Sequence, residues 1–203
     1  NAQVRKNVRL LEENSERSRT GKLGDPSHEV PYENHPYDKS RRNLQDVTAE
    51  PSNYKPLRIR FETDALDDRR DADNAAKIDF IKNEILPRTA TFWSRALSVV
   101  PINGNLKIAA SELDNREFCG DSEFTTVPAA HISTGVADTD LLLYVSGTPS
   151  SRFCSGTTLA VAVACNFDQF DRPTSGAINV CMDQIELDSD GTASDAIVED
   201  NVD

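Results

Sequence analysis

Four cysteines, all in the second half of the chain, are the residues whose spacing most directly predicts chemistry. They stand at Cys119, Cys154, Cys165 and Cys181, with separations of 35, 11 and 16 residues. These separations do not form the CxxC pairs of a zinc knuckle or a redox motif. An even number of scattered cysteines in a loop-rich region predicts two disulfides and therefore an oxidising compartment. Four reduced core cysteines in a cytosolic protein are the alternative, and the sequence alone permits all three pairings.

Three histidines could in principle bind a metal or transfer protons: His28, His35 and His131. No two of them have the HExxH spacing that places two imidazoles on one face of a helix to bind zinc. His131, in VPAAHISTG, is the only histidine in the part of the chain that is expected to fold. We interpret it as a hydrogen-bonding group that orders its loop, rather than as a metal ligand or a catalytic base.

The acidic residues offer no clear catalytic pair. Asp168 and Asp171 stand beside an Arg172-Pro173 turn, and paired carboxylates alone are weak support for acid–base catalysis. DSDG at residues 188–191 is similar to the start of a calcium loop but lacks the later ligands, so it predicts a turn. The sequence contains no glycine-rich phosphate loop and no GxSxG nucleophile motif. The residues by themselves therefore show no complete active site.

Short apolar patterns predict the strands and the helix that position these residues. Alternation in LRIRFE, at residues 57–62, predicts a half-buried strand. One face of a long helix is predicted from Ile78, Ile81, Ile85, Phe92 and Ala96. Pro87 must kink or split that helix, because it lacks a backbone donor and its ring crowds the preceding turn.

Later segments predict further strands joined by long loops. Strands are predicted at residues 105–110, 141–147 and 176–181, whereas residues 159–165 fit either a strand or a buried helix. The irregular connection at residues 118–140 is long enough that we expect Cys119 to tie it down. The order of elements predicts an α+β or α/β domain.

Charge and composition change near residue 42. Residues 43–203 hold 27 acidic and 13 basic residues, and such an acidic body argues against nucleic-acid binding. Residues 1–56 show no sustained periodicity, which predicts a largely extended or disordered segment. Within it, Arg41 and Arg42 end a basic cluster that is either a solvated patch or a processing site for a basic-specific protease. No apolar run approaches the roughly 20 residues that span a bilayer, so no transmembrane segment is predicted.

Several motifs in a fixed order resemble the leishmanolysin-like zinc metallopeptidases. FCGDSEFTTVPAAHISTGVADTDLLLYVSG, at residues 118–147, carries the family's Cys-Gly opening, its Pro-Ala-His loop and an apolar strand ending in Tyr-Val. CSGTTLAVAVACNFDQFDRPTSGAINVC, at residues 154–181, carries an Asp-x-x-x-Arg-Pro turn and a Gly-x-Ile-Asn strand. KPLRIRFETDALD and ILPRTATFWSRALSV resemble the family's first strand and first long helix. The resemblance covers about residues 55–185.

The resemblance implies an α+β fold, the N-terminal subdomain of a metzincin, with a twisted mixed sheet and one long helix. Residues 57–203 would be an incomplete catalytic subdomain that ends before the HExxH helix, and residues 1–56 would be a propeptide-like segment. No cysteine precedes Cys119, so the propeptide cysteine that keeps family members latent has no counterpart. The implied disulfides are Cys119–Cys165 and Cys154–Cys181.

The resemblance also implies a place for the substrate. The sheet's edge strand along the cleft, whose unpaired backbone groups can receive an extended peptide, would consist of Gly176, Ala177, Ile178, Asn179 and Val180.

The function implied is that of the N-terminal portion of a secreted or cell-surface zinc metalloendopeptidase. Zinc would be bound in the full-length protein and not by this chain alone, which would be inactive; whether the chain counts as an enzyme stays open. Its partners would be the downstream catalytic half and protein or peptide substrates. The alternative is a noncatalytic adhesion or structural module that binds proteins with the same sheet. A secreted disulfide domain that shares only the fold is a third interpretation.

Overall fold

The computed structural model describes residues 29–32, 53–120, 124–149 and 152–188. The helices are α1 (Asp64–Asp67), α2 (Ala75–Phe80), α3 (Leu86–Ala96) and α4 (Ala129–Ser133). The strands are β1 (Lys55–Pro56), β2 (Ile59–Glu62), β3 (Ser98–Val99), β4 (Leu141–Ser146), β5 (Ala160–Phe167) and β6 (Pro173–Val180). A π-helical turn, Ile81–Ile85, joins α2 to α3, and 3-10 turns cover Ala110–Glu112 and Met182–Gln184. One long helix combined with a mixed sheet is compatible with the predicted α+β class.

Four strands form the main sheet in the order β2-β4-β6-β5. β2, β4 and β6 run parallel to one another, and β5 runs antiparallel to β6. β1 and β3 form a separate two-stranded sheet. The strands predicted at residues 57–62, 141–147 and 176–181 are confirmed as β2, β4 and β6. Residues 159–165, which fitted either a strand or a helix, lie largely in β5.

The strand predicted at residues 105–110 is wrong. Leu106 makes only an isolated bridge with Val136, and the N–H of Ile108 donates to the carbonyl of His131. The side chains of Leu106 and Ile108 are both buried. The segment therefore crosses a face of the main sheet instead of joining it. Its alternating apolar residues meet side chains of the sheet, while its backbone bonds to α4 and to the segment that follows α4.

The long helix formed by α2, the π turn and α3 covers one face of the main sheet, which we call the helix-covered face. Ile78, Ile81 and Ile85 are buried there, as their helical spacing predicts. Phe92, however, is 50% exposed, and Ala96 is also exposed. Their predicted place in the core is therefore wrong.

The π turn explains why the buried stripe of the helix changes position. A π-helical turn bonds residue i to residue i+5 and so holds one more residue than an α-helical turn. The buried stripe consequently changes after the turn. Leu86 is buried next to Ile85, and the half-buried residues that follow are Thr89, Ala90 and Ser94, whereas Trp93 and Leu97 are exposed like Phe92. Pro87 is the second residue of α3, after Leu86, and cannot donate to the carbonyl four residues earlier. The prediction that Pro87 interrupts the α-helix is confirmed.

The connection between β3 and β4 covers the opposite face, which we call the loop-covered face. It contributes buried apolar side chains to one core cluster with β4 and β6, among them Leu106, Ile108, Leu113, Phe124 and Val127. Cys119 in this connection is bonded to Cys165 in β5. The expectation that Cys119 ties down the connection is confirmed.

An ion pair between the half-buried Arg58 and the buried Asp140 fixes the point where this connection enters β4. Arg58 donates to the carboxylate of Asp140 from Nε at 2.9 Å and from Nη2 at 2.8 Å, and the N–H of Ile102 donates to it at 2.8 Å. Burial alone would raise the pKa of Asp140, but these hydrogen bonds hold it below its ordinary value. The carboxylate is therefore ionised and links three segments of the chain.

The division predicted between residues 56 and 57 stays a prediction, since most of residues 1–56 lie outside the described residues. Two short parts of this segment are described. β1 pairs with β3, and residues 29–32 contact the loop-covered face.

Candidate functional site

The open edge of the main sheet is the feature best suited to bind another polypeptide. The outer strands are β2, with four residues, and β5, with eight. In the part of the chain that the structure describes, no strand pairs with the outer side of β5. Edge strands present unpaired N–H and C=O groups that an added strand can use.

The predicted edge, formed by Gly176, Ala177, Ile178, Asn179 and Val180, lies instead inside the sheet. These residues belong to β6, which pairs with β4 on one side and with β5 on the other. The turn between β5 and β6 brings the two strands side by side, with β5 on the outer side of β6. β6 therefore has no free side. The prediction that these five residues form the edge is therefore wrong.

Small side chains leave the backbone of β5 accessible. Ala160, Ala162 and Ala164 are exposed and share one face of the strand, because side chains alternate between faces. Val161 and Val163 point to the other face, where they pack against the core of the loop-covered face. The alanines place no bulky group beside the open edge, so an extended peptide can approach it closely.

Two glycines allow the close packing around Val163. A Cβ on Gly176 would lie 2.7 Å from the carbonyl oxygen of Val163. A Cβ on Gly120 would lie 2.3 Å from Cγ1 of Val163, and Gly120 also has a φ of +78°. Glycine is needed at both positions, since β5 could not otherwise lie so close to β6 and to the segment at Cys119.

Both disulfides implied by the resemblance are present and support β5. Cys119–Cys165 and Cys154–Cys181 each have a Cα–Cα distance of 5.3 Å. The first joins the last part of β5 to the loop-covered face. The second joins the segment before β5 to the residue after β6. The edge strand is thus cross-linked near both of its ends.

Asn179 positions the segment that leads from β4 towards Cys154. Its side chain is fully buried. Its amide oxygen accepts hydrogen bonds from the hydroxyl of Ser146 and the N–H of Thr148, both at 2.8 Å, and its amide nitrogen donates to the carbonyl of Thr148 at 3.0 Å. Asn179 therefore holds the scaffold together and does not face an incoming peptide.

His131 connects α4 to β4. Its Nδ1 lies 3.0 Å from the hydroxyl oxygen of Tyr144, and its Nε2 lies 3.8 Å from a carboxylate oxygen of Glu62. Burial lowers the pKa of His131, although the charge of Glu62 opposes this shift, and burial raises the pKa of Tyr144. The imidazole is therefore neutral at pH 7 and serves as a hydrogen-bonding partner. The hydrogen-bonding role predicted for His131 is confirmed, although the residue lies in α4 and not in a loop.

Asp168 and Asp171 do not form a catalytic pair. Asp168 is buried and accepts hydrogen bonds from the N–H groups of Phe170 and Arg172, both at 2.8 Å. Asp171 is exposed and has a φ of +61°. One carboxylate thus stabilises the turn between β5 and β6, while the other faces solvent.

The described residues do not supply a zinc site. Within residues 29–32, 53–120, 124–149 and 152–188, no group of three or more His, Cys, Asp or Glu side chains is arranged to hold a metal ion. No helix in these ranges is long and apolar enough to cross a membrane. His28, His35, Arg41, Arg42 and residues 189–191 of DSDG lie outside the described residues, so the predictions made for them stay predictions.

The sequence contains a signal for the true edge strand that the resemblance does not use. AVAVA, at residues 160–164, alternates small and β-branched residues, which is typical of a strand with one exposed face. The contacts of Asn179, in contrast, join residues far apart in the chain and have no local pattern that could have revealed them.

Comparison with known proteins yields one family and several relatives. The family model described as leishmanolysin matches residues 62–199. A leishmanolysin-like peptidase from Caenorhabditis elegans is 27% identical over 195 residues, which cover 75% of this chain and 28% of that protein.

Two further relatives are similar over about half of this chain. A leishmanolysin homolog from Crithidia fasciculata is 31% identical over 106 residues, or 52% of this chain and 14% of that protein. Leishmanolysin from Leishmania major is 30% identical over 104 residues, or 51% of this chain and 16% of that protein. The chain therefore spans less than a third of the length of each of these relatives.

Proposed function

Because the chain belongs to the leishmanolysin family, we propose that it is the N-terminal portion of a zinc metalloendopeptidase. The observation that carries this proposal is the family match, which covers more than half of the chain. Hydrolysis of peptide bonds is proposed for the whole protein, and this chain alone is expected to be inactive. The noncatalytic binding module has no observation in its favour.

Zinc supplies the hydrolytic chemistry when it is bound, since it activates a water molecule and polarises the peptide carbonyl. The residues that would bind it lie outside those described, and the role proposed for this chain is to bind and orient the substrate. The two disulfides support an oxidising compartment, so we also propose that the protein is secreted or acts at the cell surface.

We propose that the substrate lies along β5 and not along residues 176–180. An extended peptide would add to the open side of β5 as a further strand and would bond through main-chain groups. The open edge, the exposed alanines and the two cross-links near the strand ends support this position. A strand that is held at both ends keeps its outer backbone groups in place for the peptide.

Sequencing the transcript across the codon for Asp203 tests the proposed activity. Continuation into a His-Glu-x-x-His motif with a third histidine farther on is the result that the proposal requires. A stop codon, or a motif with substituted ligands, would remove the basis for peptidase activity.

Substrates with modified backbones test the proposed position of the peptide without changing the protein. N-methylation removes one N–H donor from a peptide, so methylation at alternate residues should lower kcat/KM of the full-length enzyme strongly in one register and weakly in the other. Equal loss in both registers would contradict binding as an added strand.

A further inference from the structure

We propose that the folded body carries a binding site for its own N-terminal segment, and that residues 30–32 stay bound there after the chain is cut between residues 32 and 53. We call residues 30–32 the N-terminal anchor. The site that holds the anchor consists of the turn between β5 and β6 together with Ile102 and Asn103. This interaction surface does not depend on the proposed peptidase activity.

Hydrogen bonds to backbone groups of the anchor hold it against the folded body. The N–H of Val30 donates to Oε1 of Gln169 at 3.1 Å, and the carbonyl of Val30 accepts from Nε2 of Gln169 at 3.0 Å. The N–H of Asn103 donates to the carbonyl of Pro31 at 2.8 Å. The Gln169 amide thus offers one donor and one acceptor to the anchor, as a neighbouring strand would.

Val30 completes the core of the loop-covered face. Its side chain is 3% exposed and belongs to the same apolar cluster as Ile102. Tyr32 makes an antiparallel bridge with Ile102, which keeps Val30 in register with this cluster. Removal of the anchor would open an apolar pocket to water, and the hydrophobic effect opposes this change.

Tyr32 contacts three side chains in the turn between β5 and β6. Its hydroxyl donates to Oδ2 of Asp168 at 2.6 Å and accepts a hydrogen bond from Arg172. Its ring centroid lies 6.1 Å from that of Phe170 and 5.1 Å from Cζ of Arg172. Burial and the bond to Asp168 raise the pKa of Tyr32, so its hydroxyl stays protonated and keeps donating.

The turn is organised to receive Tyr32. The other carboxylate oxygen of Asp168 accepts from the N–H groups of Phe170 and Arg172 within the turn, which leaves Oδ2 directed at the Tyr32 hydroxyl. Loss of Tyr32 would deprive a buried carboxylate of a hydrogen bond, and such a loss is costly.

None of these contacts uses the connection between residues 32 and 53. Cutting that connection therefore leaves the contacts in place, and the N-terminal piece should be released only when the anchor itself is displaced. This applies to any cleavage site in the connection, including the candidate at Arg41 and Arg42.

The test is to cut the full chain at one chosen position and to ask whether the two pieces stay together. A recognition site for a sequence-specific protease is inserted between residues 38 and 39. The cleaved protein is then examined by native mass spectrometry and size-exclusion chromatography at micromolar concentration. We expect the N-terminal piece to remain bound with both disulfides intact. Its dissociation on cleavage would overturn the proposal.

Variants of the anchor decide which residues hold the piece. Tyr32→Ala should weaken retention at least about tenfold, because it removes an aromatic side chain that fills a pocket. Tyr32→Phe keeps the ring and should have a smaller effect. Glu29→Ala changes an exposed side chain in the same segment and is the matched control, for which we expect no change.

Retention of the piece by two variants, together with hydrogen exchange, decides whether the anchor itself holds the N-terminal piece. If Tyr32→Ala and Val30→Ala retain the piece as tightly as the unchanged protein, different residues hold it and the assignment is overturned. Hydrogen exchange shows whether each variant folds: amides of β4 and β6 should stay protected, while the amide of Asn103, which bonds to Pro31, should exchange faster.

Discussion

The helix-covered and loop-covered faces of the main sheet both bury apolar side chains, but they are held in different ways. On the first face, Ile78 and Ile81 come from one continuous helix with a regular period. On the second face, Leu106 comes from a long connection with little regular structure, which the Cys119–Cys165 disulfide cross-links to β5. An irregular connection can therefore form one layer of a core when a covalent bond fixes it.

Removal of the Cys119–Cys165 disulfide should cause the largest loss of stability, and this loss should fall mainly on the loop-covered face. The bond joins residues separated by 46 positions. A cross-link that closes a loop of that length stabilises the fold by about 4 kcal/mol, because it lowers the conformational entropy of the unfolded chain. The double variant Cys119→Ala, Cys165→Ala should lose about this much free energy of unfolding in a denaturant titration. Hydrogen exchange should rise first in residues 100–140, while the long helix keeps its protection.

The matched control removes the other disulfide. Cys154 and Cys181 are separated by 27 positions, and neither lies in the connection that covers the sheet. Their replacement by alanine should cost about 3.5 kcal/mol without selective exchange in residues 100–140. If the double variant Cys119→Ala, Cys165→Ala raises hydrogen exchange equally on both faces of the sheet, the disulfide does not selectively hold the loop-covered face.

Leu86 and Phe92 test how the helix-covered face is built. Leu86 is buried after the π turn, whereas Phe92 is 50% exposed. Leu86→Ala should therefore cost about 3 kcal/mol of unfolding free energy, as large-to-small changes in a core do. Phe92→Ala should cost less than about 1 kcal/mol, because a half-exposed ring leaves little cavity. Denaturant titration of the two variants measures both values, and the reverse order would show that the stripe continues without a shift.

The pH dependence of the unfolding free energy tests the contact between α4 and β4. We expect this change in stability to be smaller than those above. Burial lowers the pKa of His131 in the folded state, so the unfolded chain binds a proton more readily. Stability should then be complete above the ordinary histidine pKa of 6.5 and should fall as the pH drops below it. His131→Gln can hydrogen-bond but cannot titrate, so it should flatten the dependence between about pH 7.5 and 5.5.

Other charged groups also influence the pH dependence of stability. Glu62 and Asp64 favour protonation of His131, and Arg60 opposes it. Asp140 titrates in a separate window, because its pKa is held below 3.8. An unchanged slope in His131→Gln would show that the loss of stability comes from another group.

Local sequence patterns are sufficient to predict those elements whose structure depends on the burial of their own apolar side chains. The alternation in residues 57–62 and the apolar run in residues 141–147 predict β2 and β4 correctly, because burial of such patterns favours strands. The motif order that predicts the family also implies both disulfide pairings, which the structure contains.

The failures concern features that depend on distant contacts. The resemblance places residues 176–180 at the sheet edge, but strand order follows from how the chain returns, which a local pattern does not contain. A regular helical period places Phe92 in the core, whereas the π turn before it shifts the helical phase by one residue. Tyr32 has no sequence signal, since its partner Asp168 lies 136 residues away.

The proposed zinc-dependent peptidase activity is measured with a quenched fluorescent peptide and the full-length protein, expressed with its disulfides formed. The rate is measured before chelation, after chelation, and after zinc is returned. We expect hydrolysis that is lost when the metal is removed and restored by zinc, since zinc activates the attacking water. Hydrolysis that persists without metal, or no hydrolysis of any peptide in a broad panel, would contradict the proposed peptidase activity.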